Sequence, residues 1–318
     1  MRILTRPDFD GIVCAALLSD ILEISTPVKW VEPNAMQHGM VDVQPGDIIA
    51  NLGYHENCAL WFDHHESNRM DQPFQGVFEI APSAAGIIFK YYNHEYPNAH
   101  PSAPRKTFSR NYSRLVHETD RIDSATLSLD EVLNPDLNPF LTVAMTILSH
   151  NYEDESYWNR LVDLIKHHEI EEILEDPEVK KRAAEAIEAN NTYIAYLKQY
   201  TTLHEQVAVS DFRPLGKTPN GNRFLVFYLF PTSVVNVRVR FDNKDNDKIR
   251  ISVGHSIFNR NCNVNAGLLC SQFGGGGHRG AGACTVSADD ADAILTEMLR
   301  VLTANQPTPP NRRSSGMR

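Results

Sequence analysis

Two groups of residues near the start of the chain have types and spacing that suit a divalent cation. Asp8 and Asp10 lie one residue apart in the turn Arg6-Pro7-Asp8-Phe9-Asp10-Gly11. Carboxylates this close repel each other unless a cation neutralises them. The alternative use is local, with either Asp capping the helix that follows. The second group, Asp63-His64-His65, ends an apolar run. Imidazole and carboxylate together suit manganese, iron, cobalt or zinc. Consecutive residues at a strand end point to opposite sides. One His could therefore ligate while the other meets a substrate, with Asp63 bracing an imidazole. By contrast, His167-His168 lies in a charged helical stretch and reads as solvated.

A third group is the run Gly274-Gly275-Gly276-Gly277-His278-Arg279-Gly280-Ala281-Gly282. Glycines permit positive φ and close backbone approach, so N–H groups can converge on an anion. The run lacks the spacing and the Lys-Ser/Thr of a P-loop. No acidic residue follows at the distance a dinucleotide-binding turn requires.

Strands and helices must hold these groups in place. Arg2 to Thr5 reads as a strand, followed by the acidic turn and an apolar helix from Ile12 to about Glu23. Strand, turn and helix in this order open an α/β domain. Further strands are predicted around Val28–Glu32, Asp47–Asn51 and Ala59–Phe62. Both Asp8/Asp10 and Asp63-His64-His65 then fall at the carboxyl ends of strands, where open α/β sheets bind ligands. Helices are predicted over Ser83–Tyr92 and Ser109–Glu118. Apolar residues at helical spacing continue through Asp154–Glu205, broken at Asp176-Pro177, with a long connecting helix from Glu178 to Gln206. The composition shifts to Pro, Gly and Asn around Asp211–Asn222. Strands are predicted at Arg223–Phe230, Ser233–Phe241 and Ile249–Gly254, and a last helix at Asp289–Leu302.

The ordered combination of Asp8-Phe9-Asp10-Gly11, Asp63-His64-His65 and the glycine quartet before His278 resembles the DHH phosphoesterases that carry a C-terminal DHHA1 domain. The resemblance covers residues 1 to 303. It implies two α/β domains, a parallel-sheet DHH domain with a long connecting helix (1–206) and a smaller mixed α/β DHHA1 domain (213–303); the composition of 304–318 predicts a disordered tail. It also implies a two-metal site, usually manganese, that hydrolyses phosphate esters or anhydrides. Carried over, Asp8 would ligate one metal, and Asp10 and His64 the other. Asp123 or Asp120 would supply the fourth-motif ligand, with Asp123 preferred because a small hydroxyl residue follows it. His65 would contact the scissile phosphate beside Asp63. Gly275, Gly276, Gly277, His278 and Arg279 would bind the far end of the substrate. His255 stands where related nanoRNA-degrading enzymes carry a binding Arg.

Two positions depart from the family pattern. The His expected shortly before the first Asp is absent, since Leu4, Thr5 and Arg6 occupy those positions. The strand expected to end in a bridging Asp ends in Asn51. The expectation is one firm metal, at Asp10, His64 and Asp123 with Asn51 as a fourth ligand, and one weak or absent metal. Arg6 could take over the missing charge by binding a phosphoryl oxygen, or it could pair with Asp8. His38 and His55 are candidate replacement ligands.

The 318 residues carry a formal net charge of -10, which argues against a uniformly basic nucleic-acid coat. The charge is partitioned, however. Arg213–Thr285 holds ten Lys and Arg against three Asp, whereas Met1–Phe212 holds 16 against 33. An acidic first part suits cation binding, and a basic second part suits an anionic ligand. The five cysteines form no C-x-x-C pair and read as reduced thiols. The longest apolar stretch near the start, seven residues, is too short to span a membrane. The expectation is a cytoplasmic metal-dependent phosphoesterase acting on a phosphorylated small molecule or a short single-stranded nucleic acid, with a homodimer as the candidate assembly. The alternative is a degenerate member that binds nucleotide or phosphate without turnover.

Overall fold

A computed structural model describes residues 1–307 apart from 23, 25, 97–106, 148–153, 217–218, 243–244 and 246. The chain divides into two units, Met1–Ala186 and Ile187–Arg318.

In the first unit, β1 (Ile3–Thr5) is wholly buried and runs directly into α1 (Phe9–Leu22). The remaining strands are β2 (Lys29–Trp30), β3 (Asp47–Ala50), β4 (Cys58–Asp63) and β5 (Gly76–Phe78). They form a sheet of order β2-β1-β3-β4-β5 in which every pairing is parallel. The order reverses between β1 and β3, a crevice position for ligands in open α/β sheets. Side chains alternate across the sheet. Ile3, Ile48 and Phe62 pack on one face with α1, whereas Leu4, Ile49 and Trp61 pack on the other with Val31 and Leu52.

The helices of this unit are α2 (Pro33–Gln37), α3 (Ala84–Tyr92), α4 (Ser113–Asp123), α5 (Leu129–Leu133), α6 (Pro139–Ile147), α7 (Glu155–His167) and α8 (Ile170–Ile173). The apolar helix α1 is buried along nearly its whole length and packs against α3, α4 and α7. The fourth helix starts and ends later than the Ser109–Glu118 expectation, so Asp120 and Asp123 lie on it rather than beyond it.

Helix α9 (Pro177–Tyr200) carries the chain from one unit into the next. It ends earlier than the expected Gln206. Thr201 and Thr202 favour extended backbone, and β6 (Thr201–His204) folds back on β7 (Val207–Asp211) as a hairpin. Residues 201–211 therefore pair into the sheet of the second unit. The stretch expected as a strand at Arg223–Phe230 forms the short helix α10 (Leu225–Leu229) instead, which buries Leu225, Val226 and Phe227. An apolar run this short carries no periodicity to separate the two.

The second sheet adds β8 (Val235–Phe241), β9 (Lys248–His255), β10 (Gly276–His278) and β11 (Ala281–Ser287), in the order β10-β11-β9-β8-β7-β6. Only β7 and β8 pair in parallel. One face is Val- and Ile-rich and packs with residues of α11 (Ala266–Ser271) and α12 (Ala291–Ala304). The other face presents Arg238, Arg240 and Arg250, the last two directly opposite each other. The glycine run is not an open loop, because three of its residues form the edge strand β10. All five cysteines are free thiols. No helix among the described residues is long and apolar enough to cross a membrane. Most of the tail expected to be disordered, 308–318, lies outside the described residues.

Candidate metal centre

Asp8 occupies the N-cap position of α1. Its Oδ1 accepts from Gly11 N at 2.9 Å and its carbonyl from Ile12 N at 2.9 Å. The cap requires Gly11, since a Cβ there would stand 1.9 Å from the Arg6 carbonyl oxygen. Two further contacts engage Asp8. Asn51 Nδ2 donates to its Oδ1 at 2.9 Å, and Arg6 Nε pairs with its Oδ2 at 3.1 Å. Asn51 follows β3 in the left-handed region, with φ 57, a conformation Asn tolerates better than most residues.

Asp10, one turn position further on, is buried and points the other way. Its two oxygens accept from the backbone N–H groups of Ala84 (3.0 Å) and Ala85 (2.9 Å) at the start of α3. Those donors and the positive end of the helix dipole favour a carboxylate. Burial nevertheless raises its pKa, with the nearby His64 acting in the opposite direction.

His64 leaves the end of β4 with Nδ1 3.0 Å from the Ala81 carbonyl. That bond makes Nδ1 the protonated nitrogen and leaves the Nε2 lone pair for a ligand. Nε2 lies 3.4 Å from Asp123 Oδ2 and 3.8 Å from Asp10 Oδ2. It is buried and has no hydrogen-bond partner. A buried polar atom without a partner needs an explanation, and a cation between two carboxylates provides one. Ligand atoms of Asp10, His64 and Asp123 all lie within 4.8 Å of one another. Partial burial of Asp123, whose side chain stays 29% exposed, raises its pKa, and the neighbouring Asp10 and Asp8 add to the effect. These carboxyls are held at a site that disfavours their negative charge, which is the condition a bound cation relieves.

Asp63 is fully buried and bonds to His65, and its ligand atoms, with those of His64 and His65, also lie within 4.8 Å of one another. Its Oδ1 accepts from His65 Nδ1 at 2.7 Å, while its Oδ2 accepts from Asn68 Nδ2 at 2.7 Å. The imidazole rings of His64 and His65 meet edge to face, with centroids 4.2 Å apart.

Of the expected ligands, the structure brings Asp10, His64 and Asp123 together. Asp8 is engaged by Asn51 and Arg6. Asn51 turns its amide nitrogen to Asp8, while its Oδ1 is buried and has no hydrogen-bond partner. Asp120 accepts from Ser83 Oγ at 2.5 Å and stands outside the ligand group. His38 is 2.8 Å from the Asn34 carbonyl, and His55 accepts from Asn57 N; among the described residues neither stands in a group of possible ligands with the Asp residues. Sequence reading passed over Ser83, Asn68 and the N–H groups of Ala84 and Ala85. Ser83 before a helical run is an N-cap signature, and it does cap α3 through Gly86 N at 2.9 Å.

In the second unit, His278 pairs with Ala281 across the β10–β11 hairpin. Gly275 and Gly277 are demanded by packing: a Cβ at either would stand 2.1–2.3 Å from a carbonyl oxygen of β11. Gly276 and Gly254 face open space. His255 Nε2 is 2.9 Å from the Val264 carbonyl, and burial lowers its pKa. Arg279 is exposed, and its carbonyl accepts from Ala266 N.

Comparison with known proteins adds to this geometry. The pGpG-specific phosphodiesterase PggH from Vibrio cholerae is similar over 96% of this chain and 99% of its own, with 27% identity and a TM-score of 0.75. RecJ from Thermus thermophilus, in complex with Mn2+, shares the fold over 96% of this chain and 52% of its own, at 12% identity and a TM-score of 0.58. A second exonuclease RecJ structure, bound to manganese, matches 97% of this chain and 91% of its own at 14% identity and a TM-score of 0.55. The sequence model of the Uncharacterised protein family (UPF0160) matches residues 38–208. The chain is a UPF0160 protein of the DHH phosphoesterase family. No curated protein matches it. In this chain Asp63-His64-His65 closes β4, Asn51 follows β3 and Arg6 follows β1.

Proposed function

We propose that this protein is a phosphodiesterase of short linear nucleotides that works with one tightly held divalent metal, manganese being the favoured ion. The observation that carries the reading is the buried, partnerless Nε2 of His64 between Asp10 and Asp123. These three residues would hold the ion. When bound, such a metal polarises a phosphoryl oxygen and lowers the pKa of a coordinated water.

The chain's own residues supply the rest. Asp63 holds the His65 ring through Nδ1, so a neutral His65 presents Nε2 as an acceptor and a protonated one presents it as a donor. His65 is therefore suited to stabilise charge on the scissile phosphate or to move a proton there. Arg6 neutralises Asp8. Together with the Asn51 amide, it removes the carboxylate that a second metal would need. The Arg-rich sheet face of the second unit, with His278 at one edge, suits an anionic ligand. The likeness to a pGpG-specific phosphodiesterase supports a dinucleotide-sized substrate.

The test is hydrolysis with Mn2+ of a panel comprising pGpG, short RNA, pyrophosphate and polyphosphate. The reading expects turnover of the dinucleotide and short RNA that is lost in Asp10→Ala and His64→Ala. Binding of the panel without hydrolysis of any member would favour the non-catalytic alternative.

A further inference from the structure

We infer that Asp120 is a positioning residue which, through Ser83, sets the spacing between the Asp10 and Asp123 ligands. The inference rests on the metal reading above and concerns how the ligand set is assembled.

The ligands come from separate elements. Asp10 belongs to α1, but its carboxylate is fixed by the first N–H groups of α3. Asp123 is the last residue of α4. The distance between their oxygens therefore depends on how the end of α4 is registered against the start of α3. One side-chain link makes that registration. Ser83 Oγ accepts from Gly86 N at 2.9 Å, capping α3, and donates to Asp120 Oδ1 at 2.5 Å. Asp120 and Asp123 are three residues apart on one helix, hence on the same face. Fixing Asp120 to the α3 cap thereby fixes Asp123 relative to the helix end that holds Asp10.

Gly86 makes the approach possible. A Cβ at this position would stand 2.7 Å from Asp120 Oδ1 and 3.3 Å from Asp120 Oδ2. Gly86 is the third residue of α3, and its lack of a Cβ lets the Asp120 carboxylate pass this close. Asp120 is not itself a ligand, because its Oδ1 is committed to Ser83 and it stands outside the Asp10–His64–Asp123 group.

Residues that orient ligands from behind typically contribute 10- to 100-fold to metal affinity. The experiment is calorimetric Mn2+ titration of the full chain and of the variants Asp120→Asn, Asp120→Ala, Gly86→Ala and Asp123→Ala, with circular dichroism confirming the fold of each. Asp120→Asn keeps an acceptor for Ser83 and is expected to bind within about threefold of the parent. Asp120→Ala and Gly86→Ala are expected to weaken binding by roughly 10- to 100-fold at unchanged stoichiometry, although Gly86→Ala leaves every carboxylate in place. Asp123→Ala is expected to lose the site. Parent-like affinity in Asp120→Ala would overturn the inference. So would loss of the site in Asp120→Asn, which would make Asp120 a ligand; if Asp120→Ala does not fold, Gly86→Ala decides, and parent-like affinity there would overturn the inference. Absence of Mn2+ binding by the parent chain would instead overturn the metal reading on which the inference rests.

Discussion

His64 presents a buried Nε2 without a hydrogen-bond partner to Asp123 at 3.4 Å and Asp10 at 3.8 Å. The Ala81 carbonyl fixes the ring by taking the other nitrogen. The three groups arrive from β4, α4 and α1. An arrangement of this kind costs stability without a cation and regains it with one. His64→Ala should therefore lower Mn2+ affinity by more than about 100-fold, beyond what an orienting residue contributes. Equilibrium dialysis with metal analysis measures this directly.

The pH dependence of the metal-free protein follows from the same carboxyls. Burial raises the pKa of Asp10, and partial burial raises that of Asp123. An acid with a raised folded-state pKa holds more protons folded than unfolded between its two pKa values, so stability falls as pH rises through that window. Glu131 acts oppositely. Despite some burial, hydrogen bonds from Asn138, Ser128 and Arg121 hold it down at about 2. Its contribution is present above the normal Glu range and is lost as pH falls towards 2. Chelated protein unfolded in urea from pH 4 to 8 should lose stability on the alkaline side, and Asp123→Asn should flatten that loss. Saturating Mn2+ should reverse it, because metal and proton compete for the same oxygens.

Asn51 and Arg6 occupy Asp8 from both sides. Asn51→Asp would replace a hydrogen-bond donor with a second carboxylate in direct contact with Asp8. The left-handed backbone there accommodates Asp. The variant should melt at a lower temperature than the parent without metal and recover most of the difference in excess Mn2+, with stoichiometry rising above one. Differential scanning fluorimetry with and without Mn2+ measures the first effect, and metal analysis the second. An unchanged melting temperature in chelator would show that the Asn51–Asp8 contact is unimportant.

Asp63 and His65 form a hydrogen-bonded pair beside His64. His65→Ala should reduce kcat by about 10²- to 10⁴-fold, the usual range for a positioned acid or base, while leaving Mn2+ affinity within about threefold, since the proposed ligand set is Asp10, His64 and Asp123. Asp63→Asn should preserve packing but misorient the ring, giving a smaller fall in kcat and a displaced pH profile. Steady-state kinetics across pH, alongside metal titration, separates these effects.

Much of this site could be read from the sequence because its groups sit at strand ends. Thr5 passes into the acidic turn, Phe62 passes into Asp63-His64-His65, and apolar strand runs announce both. What could not be read was the contact made by each polar group. Asp8 and Asp10 are equivalent in spacing, yet one caps α1 and pairs with Arg6, while the other is buried under α3. Only the tertiary placement of Ala84 and Ala85 distinguishes them. The choice between Asp120 and Asp123, which share one face of α4, likewise depended on which of the two meets Ser83. The glycine run signals close backbone approach, but the partner of that approach is β11 for Gly275 and Gly277 and open space for Gly276. The helix at Leu225–Leu229 was misread because an apolar run of five residues carries neither period.

Metal stoichiometry tests the central claim most directly. The full chain, loaded with Mn2+ and exhaustively dialysed, should retain one manganese per chain by elemental analysis, and Asp10→Ala should retain none. Two tightly held ions in the parent chain, or one ion that survives loss of Asp10, would contradict the assignment of a single centre to Asp10, His64 and Asp123.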